Sequence, residues 1–350
     1  MSGSTHAAGA GTARASQGRR WLSAAGLVAL SVGCILLVWP RFLGAERAVA
    51  VAQVISFRPG IVIGFGVLAA VAVVLVVFLA LRRRRIAWAG AAAVVILLAT
   101  TVGNALVLAD RGWAEGDVSA RGSADSITVL SWNTQGGATT AAEVAELAAR
   151  TRADIVALPE TDDVAAAEIA HLLTERGVRM NAQTTGEWIP TSLLVSERLG
   201  GYRHEVAAGS TPGLPSGVWV PQGGGSGSRG SMPTIVVAHP MPPLPSSMQA
   251  WRDGLDWVAQ QCRIRGPEVV IAGDFNATLD HLPATPGCSD AARATGAAGW
   301  GSWPATAPSW FAAPIDHILV GEAWRTVAFQ VVNSDQEGSD HRAIVAVLER

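Results

Sequence analysis

The 350-residue chain contains no lysine. That excludes a Walker A phosphate loop and a lysine Schiff base, since both chemistries require a lysine amine. Cysteine is almost as scarce, with Cys34, Cys262 and Cys288 alone and no metal-ligand spacing among them. Charged residues make up only 15% of the chain, and no internal repeat stands out.

Long apolar runs are what the chain does have. Residues 22–39, 61–81 and 86–109 are uncharged and mostly apolar, each close to the ~20 residues that cross a bilayer as a helix. Arg19 and Arg20 precede the first run, as in a signal peptide, but no small-residue cleavage site follows it and two more runs do. The expectation is an N-terminal bundle of three transmembrane helices behind a cytoplasmic tail, residues 1–21. Buried helices of a soluble protein are the alternative. Arg14, Arg19 and Arg20 before the first span, and Arg82 to Arg85 between the second and third, belong on the cytoplasmic side. Three crossings then place everything after residue 110 outside the cytoplasm, in a multi-pass protein of the cell membrane. No span holds an acidic or basic residue at mid-depth, which weighs against an ion or proton path.

Charge divides along the same boundary. Of 26 basic and 28 acidic residues, residues 1–112 hold 11 Arg and two acids, leaving 15 and 26 and a formal balance of −11 for residues 113–350. Such a domain attracts nucleic acid poorly, because phosphate charge dominates that binding. An outer location permits a disulfide between Cys262 and Cys288, with two unrelated thiols as the alternative.

After a polar linker at 110–125, strand and helix patterns alternate. Strands are expected at 127–133, 153–160, 191–196, 234–239, 269–276, 314–320, 326–333 and 341–349, with helices at 140–152, near 163–176 and at 246–263. Residues 208–232 are rich in Gly, Ser and Pro and read as a mobile loop around one short strand, "GVWVP". The fold class is therefore α/β, a two-sheet sandwich with flanking helices over 126–350.

Polar residues gather where the apolar strands stop. Asn133, Glu160, His239 and the pair Asp274 and Asn276 end strands, Asp316 and His317 interrupt one, and Ser339, Asp340 and His341 open the last. A lone Asp after a strand is usually a turn or cap residue, yet six such strand ends in one domain point to a site. Carboxylates with amide oxygens suit Mg²⁺, and a histidine beside an aspartate suits general acid–base work. Together they fit metal-assisted attack of water on a phosphorus ester.

The order "SWN", "LPE", "AHP", "GDFN", "IDHIL", "SDH" resembles the endonuclease/exonuclease/phosphatase superfamily over roughly residues 126–350. The resemblance implies a deoxyribonuclease-like fold, Mg²⁺ or Mn²⁺ as cofactor, and Glu160, Asn133 and Asp340 at the metal. It also implies Asp274 and Asn276 positioning water and phosphate, His341 as catalytic histidine oriented by Asp316, and His239 as a second histidine. His317, by strand alternation, points to the opposite sheet face and reads as structural. Pro159 stands where the family often has Gln, and with Tyr202 as the lone tyrosine the sequence departs from family branches that place a tyrosine in the phosphate pocket. Four prolines stiffen the exit after His239. The implied function is a membrane-anchored phosphoesterase acting on nucleic acid, a phospholipid headgroup or a small phosphoester. A catalytically inactive binding or scaffold protein is the alternative, and no protein partner is indicated.

Overall fold

The computed structural model describes residues 7–83, 88–118, 125–186, 188–222, 232–332 and 338–350. The chain divides into two compact units, Met1–Val107 and Leu108–Arg350.

The first unit contains α1 (Ala7–Val38), α2 (Val51–Ile55), α3 (Arg58–Arg83) and most of α4 (Trp88–Arg111). Trp21–Val38, Arg58–Arg82 and Trp88–Arg111 are long and apolar enough to cross a membrane, with mean hydropathies of 2.3, 3.1 and 2.2. Side chains such as Val74, Leu75 and Val95 stand uncovered, a surface that suits lipid rather than water. The helix around the first span begins at Ala7, so most of the expected tail is helical. Arg84 and Arg85 of the arginine cluster lie outside the described residues. Arg58, at the first turn of α3, is buried and donates to the Leu37 carbonyl in α1 and to Asn104 Oδ1 in α4. A cation at the end of α1 meets the negative pole of that helix, and one arginine thereby joins three helices.

Among the described residues, the second unit is a sandwich of two six-stranded sheets. The first sheet has the order β11 (Arg325–Val331), β12 (Ile344–Glu349), β1 (Ile127–Ser131), β2 (Ile155–Leu158), β4 (Ser192–Ser196), β3 (Met180–Thr184). The second runs β5 (Tyr202–His204), β6 (Gly217–Pro221), β7 (Ile235–Ala238), β8 (Val270–Asp274), β10 (Asp316–Gly321), β9 (Cys288–Asp290). Period-two alternation sorts the side chains. Ile127, Val129, Ile155 and Leu193 face Trp219, Val237, Val270 and Ile318 between the sheets. Leu130, Val156, Leu158 and Leu194 face outward onto α5 (Ala141–Thr151) and α6 (Asp163–Glu175). Both helices start on sequence-coded caps: Thr140 and Glu143 form a capping box for α5, and Asp162 accepts from Ala165 N for α6. On the second sheet's side runs α7 (Met248–Ile264), and α8 (Ala291–Ala294) follows β9.

Parallel pairing of β1 with β2 and of β7 with β8 brings four strand ends to one end of the sandwich. Antiparallel β4, β10 and β12 begin at that same end. Gly273 makes the β7–β8 approach possible. Its φ is +151°, and a Cβ there would lie 2.0 Å from the Ala238 carbonyl oxygen.

The expected linker is packed where it is described. Ala114 N donates to Gly296 O, Ala298 N to Arg111 O and Gly299 N to Gly112 O, while Trp113 stands edge-on to Trp300. Arg111 pairs with Asp280, and Arg293 with Asp110. These contacts combine loop backbone bonds with side-chain pairs to residues far along the chain, neither of which hydropathy reveals. Residues 119–124, and 223–231 of the expected mobile loop, lie outside the described residues. A disulfide joins Cys262 in α7 to Cys288 at β9, with Cα atoms 5.7 Å apart. β3, β5 and β9, absent from the sequence expectation, are short strands at or next to sheet edges.

Candidate active site

Register sets the centre of the site. Asp274, the last residue of β8, lies directly opposite Asp316, the first of β10. Directly opposed residues on neighbouring strands present their side chains on the same face. His341 enters from the start of β12's segment. Its Nδ1 donates to Asp316 Oδ2 at 2.9 Å, and its Nε2 lies 3.6 Å from Asp274 Oδ2. All three residues are buried, and their ligand-capable atoms fall within 4.8 Å of one another.

A second set arrives from the first sheet. Asn133, two residues past β1, donates from Nδ2 to Glu160 Oε1 at 3.0 Å and to Asp274 Oδ2 at 3.1 Å. One amide therefore bridges the carboxylates of two sheets. Its Oδ1 accepts from Gln135 N. Glu160 is part-exposed, and its backbone takes φ +57°; Asn276 takes φ +49°. Left-handed backbone is unusual for a glutamate. It is held here by Thr134 Oγ1 donating to Glu160 O and by Thr161 N donating to Pro190 O. Asn276 N donates to Asp274 Oδ1 at 2.8 Å, and its side chain donates to Pro240 O at 3.1 Å.

His239 completes the ring of groups. Its Nε2 is 3.6 Å from Glu160 Oε1 and 3.8 Å from Asp274 Oδ2, and its buried Nδ1 has no partner in the described structure. Those distances would suit ion pairs, but burial and the nearby charge of His341 pull the His239 imidazole down to about 3. We therefore read it as neutral. Burial also opposes charge on His341, yet Asp316, Asp274 and Asp340 outweigh it and push the imidazole up to about 10. Burial pushes the Asp274 carboxyl up to about 7, against the pull of His341 and its own hydrogen bonds. At neutral pH the pair therefore keeps its proton on His341. Asp340 sits at the rim, accepting from Trp303 Nε1 at 2.8 Å, with Oδ1 4.0 Å from His341 Nε2.

The eight residues singled out in the sequence are thus linked, directly or through one neighbour, around one cleft. Three supporting residues were not singled out. Ser339, marked in the sequence only as the first residue opening the last strand, donates to Asn133 O and accepts from His341 N, tying the loop after β1 to the segment that enters its neighbour β12. Ser302 accepts from Asp316 N, and Ser216 from His239 N. A serine in a loop carries no sequence signal for such a role. His317 lies away from the cleft, with Nδ1 at 2.7 Å from Asp290 and Nε2 at 2.8 Å from Ala277 O. Tyr202 is buried in the core between the sheets, remote from phosphate chemistry.

Comparison with known sequences decides the family. The endonuclease/exonuclease/phosphatase family profile matches residues 130–341, more than half the chain. The chain belongs to the endonuclease/exonuclease/phosphatase family. Members of this family are generally metal-dependent phosphoesterases. Curated protein sequences yielded no match. Among solved structures, a humanized D. rerio TDP2 carrying 14 mutations superposes with a TM-score of 0.51 at 16% identity, covering 65% of this chain and 100% of that one. D. rerio TDP2 complexed with a single strand DNA product gives 0.50 at 16% identity, covering 64% and 99%. An endonuclease/exonuclease/phosphatase family protein from Bacteroides thetaiotaomicron gives 0.44 at 13%, covering 64% and 97%. For the two D. rerio TDP2 structures, at 16% identity, the likeness is one of fold.

Proposed function

We propose that this protein is a membrane-anchored, divalent-metal-dependent phosphoesterase whose catalytic unit works outside the cytoplasm. The observation that carries it is the convergence of Glu160, Asp274, His239 and the Asp316–His341 pair on one cleft between the sheets.

The donor set fits a divalent ion. Glu160, Asp274, Asp316 and Asp340 bring four carboxylates together, and among the described residues their ion-pair partners are His239 and His341 alone. With His239 neutral, one imidazolium faces four carboxyl groups, a charge surplus that an Mg²⁺ or Mn²⁺ ion would offset. Asp274, Asp316 and His341 are close enough to act as ligands themselves, but the His341 ring already occupies the space between those carboxylates. Glu160 and Asp340, both reaching the part-exposed rim, are the better holders. Asn133 presently turns its N–H₂ toward Glu160, and joining them would require its amide to rotate. A bound divalent ion supplies electrophilic polarisation of a phosphoryl oxygen.

The residues of the chain would do the rest. Asp274, raised toward neutral pH by burial, orients a water and accepts its proton as the water attacks phosphorus. Asn276 fixes Asp274 through its backbone N–H. His341, charged and oriented by Asp316, offers Nε2–H to a non-bridging phosphoryl oxygen, and neutral His239 donates to a second oxygen or to the leaving group. The substrate is a phosphodiester or phosphomonoester: nucleic acid, as the D. rerio TDP2 complex with DNA product suggests, a phospholipid headgroup or a small phosphoester.

Topology follows from the arginine clusters, and the Cys262–Cys288 disulfide favours an oxidising compartment. The test is turnover by the full chain in detergent, with Mg²⁺ or Mn²⁺ and with chelator, against soluble phosphodiesters, phosphomonoesters, DNA and lipid. Absence of metal-dependent turnover in folded protein sinks the enzyme reading. A C-terminal reporter active only in the cytoplasm sinks the topology.

A further inference from the structure

Six large apolar side chains stand exposed in the described part of the 108–350 unit: Val164, Trp188, Val206, Leu244, Ile264 and Trp310. Four of them share the end of the sandwich that carries the site. Val164 follows Asp162, the cap of α6, four residues past Glu160. Trp188, 89% exposed, lies in the β3–β4 loop whose Pro190 carbonyl accepts from Thr161 N beside Glu160. Leu244 lies in the proline-rich turn after His239, whose Pro240 carbonyl accepts from Asn276. Trp310 lies in the loop between Trp303, which donates to Asp340, and Asp316. Val206 and Ile264 belong to the flank, where neighbouring Glu205 pairs with Arg265 at the far end of α7. Isolated exposed apolar residues are ordinary. Four on separate loops around one opening form a surface.

We propose that this ring is a membrane-docking rim that seats the catalytic cleft on the interface of a zwitterionic phospholipid bilayer. The inference rests on the phosphoesterase reading above for what the docked cleft then does, which is to draw phosphoesters from the lipid surface. The same chain carries three helices apolar enough to cross a membrane, so a bilayer is the surface always at hand. Indole rings and aliphatic side chains are the types that partition into the bilayer interface. The formal charge of −11 over residues 113–350 opposes attachment to anionic lipid, which leaves apolar insertion into a neutral surface. A pocket beside Glu160 adds a chemical preference. Asp162 and Glu160 line it with Val144 and Ile169, and among the described residues no arginine does. It suits a neutral or cationic headgroup substituent better than a polyanion.

The experiment uses the full chain in phosphatidylcholine nanodiscs, with Cys34→Ser and the Cys262–Cys288 disulfide retained. An environment-sensitive fluorophore is attached at Leu244→Cys, Trp310→Cys or, as flank control, Val206→Cys, and quenched by bromine-labelled acyl chains. Quenching is expected at 244 and 310 and not at 206. Leu244→Asp and Trp310→Asp should lower bilayer phosphodiester turnover, relative to a soluble phosphodiester, by about tenfold, and Val206→Asp should leave that ratio as it was. Rim labels no better quenched than the flank label would overturn the proposal. So would labels that respond to single-stranded DNA and not to lipid, which would make the rim a base-stacking platform. Rim quenching in a protein that hydrolyses no phosphoester would uphold the docking surface and remove the enzymatic reading alone.

Discussion

Replacing Asp316 with asparagine leaves the shape of the site and removes one charge from it, and the structure sets the size of the effect. At 2.9 Å, an imidazolium and a carboxylate attract by about 6 kcal/mol at an effective dielectric of about 20, before desolvation is set against it. The net value of such a charge-assisted bond is about 1.5–3 kcal/mol, which corresponds to roughly ten- to hundredfold in rate. Asp316→Asn should therefore lower kcat by that factor with little change in KM. His341→Ala should lower it by ~10²-fold or more. If Asp316 acts only through His341, the double variant should be no slower than His341→Ala alone. The assay is steady-state hydrolysis of a chromogenic phosphodiester at saturating metal, with thermal melting to exclude unfolding. Multiplying effects in the double variant would refute the coupling. Near-wild-type activity of Asp316→Asn would refute the orientation argument itself.

Glu160→Gln removes a carboxylate while keeping size, and should abolish metal-dependent turnover together with any Mg²⁺- or Mn²⁺-induced rise in Tm, which for a ligand at a hundred times its Kd corresponds to about 2.7 kcal/mol; calorimetry with and without metal checks it. Burial disfavours charge on His317, but Asp290 and the Ala277 carbonyl prevail and raise its pKa above 6.5. Its contribution to stability is then complete below about pH 6.5 and lost as pH rises through the folded value, so Tm should decline on the alkaline side, and less so in His317→Asn. Reduction of the Cys262–Cys288 disulfide, which spans 26 positions, should cost about 3.5 kcal/mol by loop-closure entropy, read as a shift in denaturation midpoint; an unchanged midpoint would deny the bond a role in stability.

What could be read from the sequence follows from how each feature is encoded. Apolar runs and period-two strands are local, so the three long helices and the sandwich core were legible. The site residues could be marked because each is a polar residue ending an apolar strand. Their mutual arrangement was not legible, since it depends on pairings across long stretches of chain. Asp274 meets Asp316 through the β8–β10 register, and Asn133 reaches Asp274 only because two sheets stack. The packing of residues 110–118 was hidden because its loop-to-loop backbone bonds, ion pairs and Trp113–Trp300 contact all reach partners about 170 or more positions away in the chain. The buried Arg58–Asn104 contact was hidden because each polar residue alone looks like a span-end or tolerated polar residue.

Gly273 separates two kinds of information that a short motif merges. Its missing side chain lets two parallel strands close on each other and touches no reacting group, whereas Asp274 beside it reaches into the cleft. In "GDFN" the first letter therefore reports architecture and the second reports chemistry. A related chain that kept the glycine and lost the aspartate would be expected to build the same sandwich and hydrolyse nothing. Motif searches that score the four letters together would count it as an enzyme. Weighing the aspartate with Glu160 and His341, and setting the glycine aside, would tell catalysts from scaffolds across relatives of this fold.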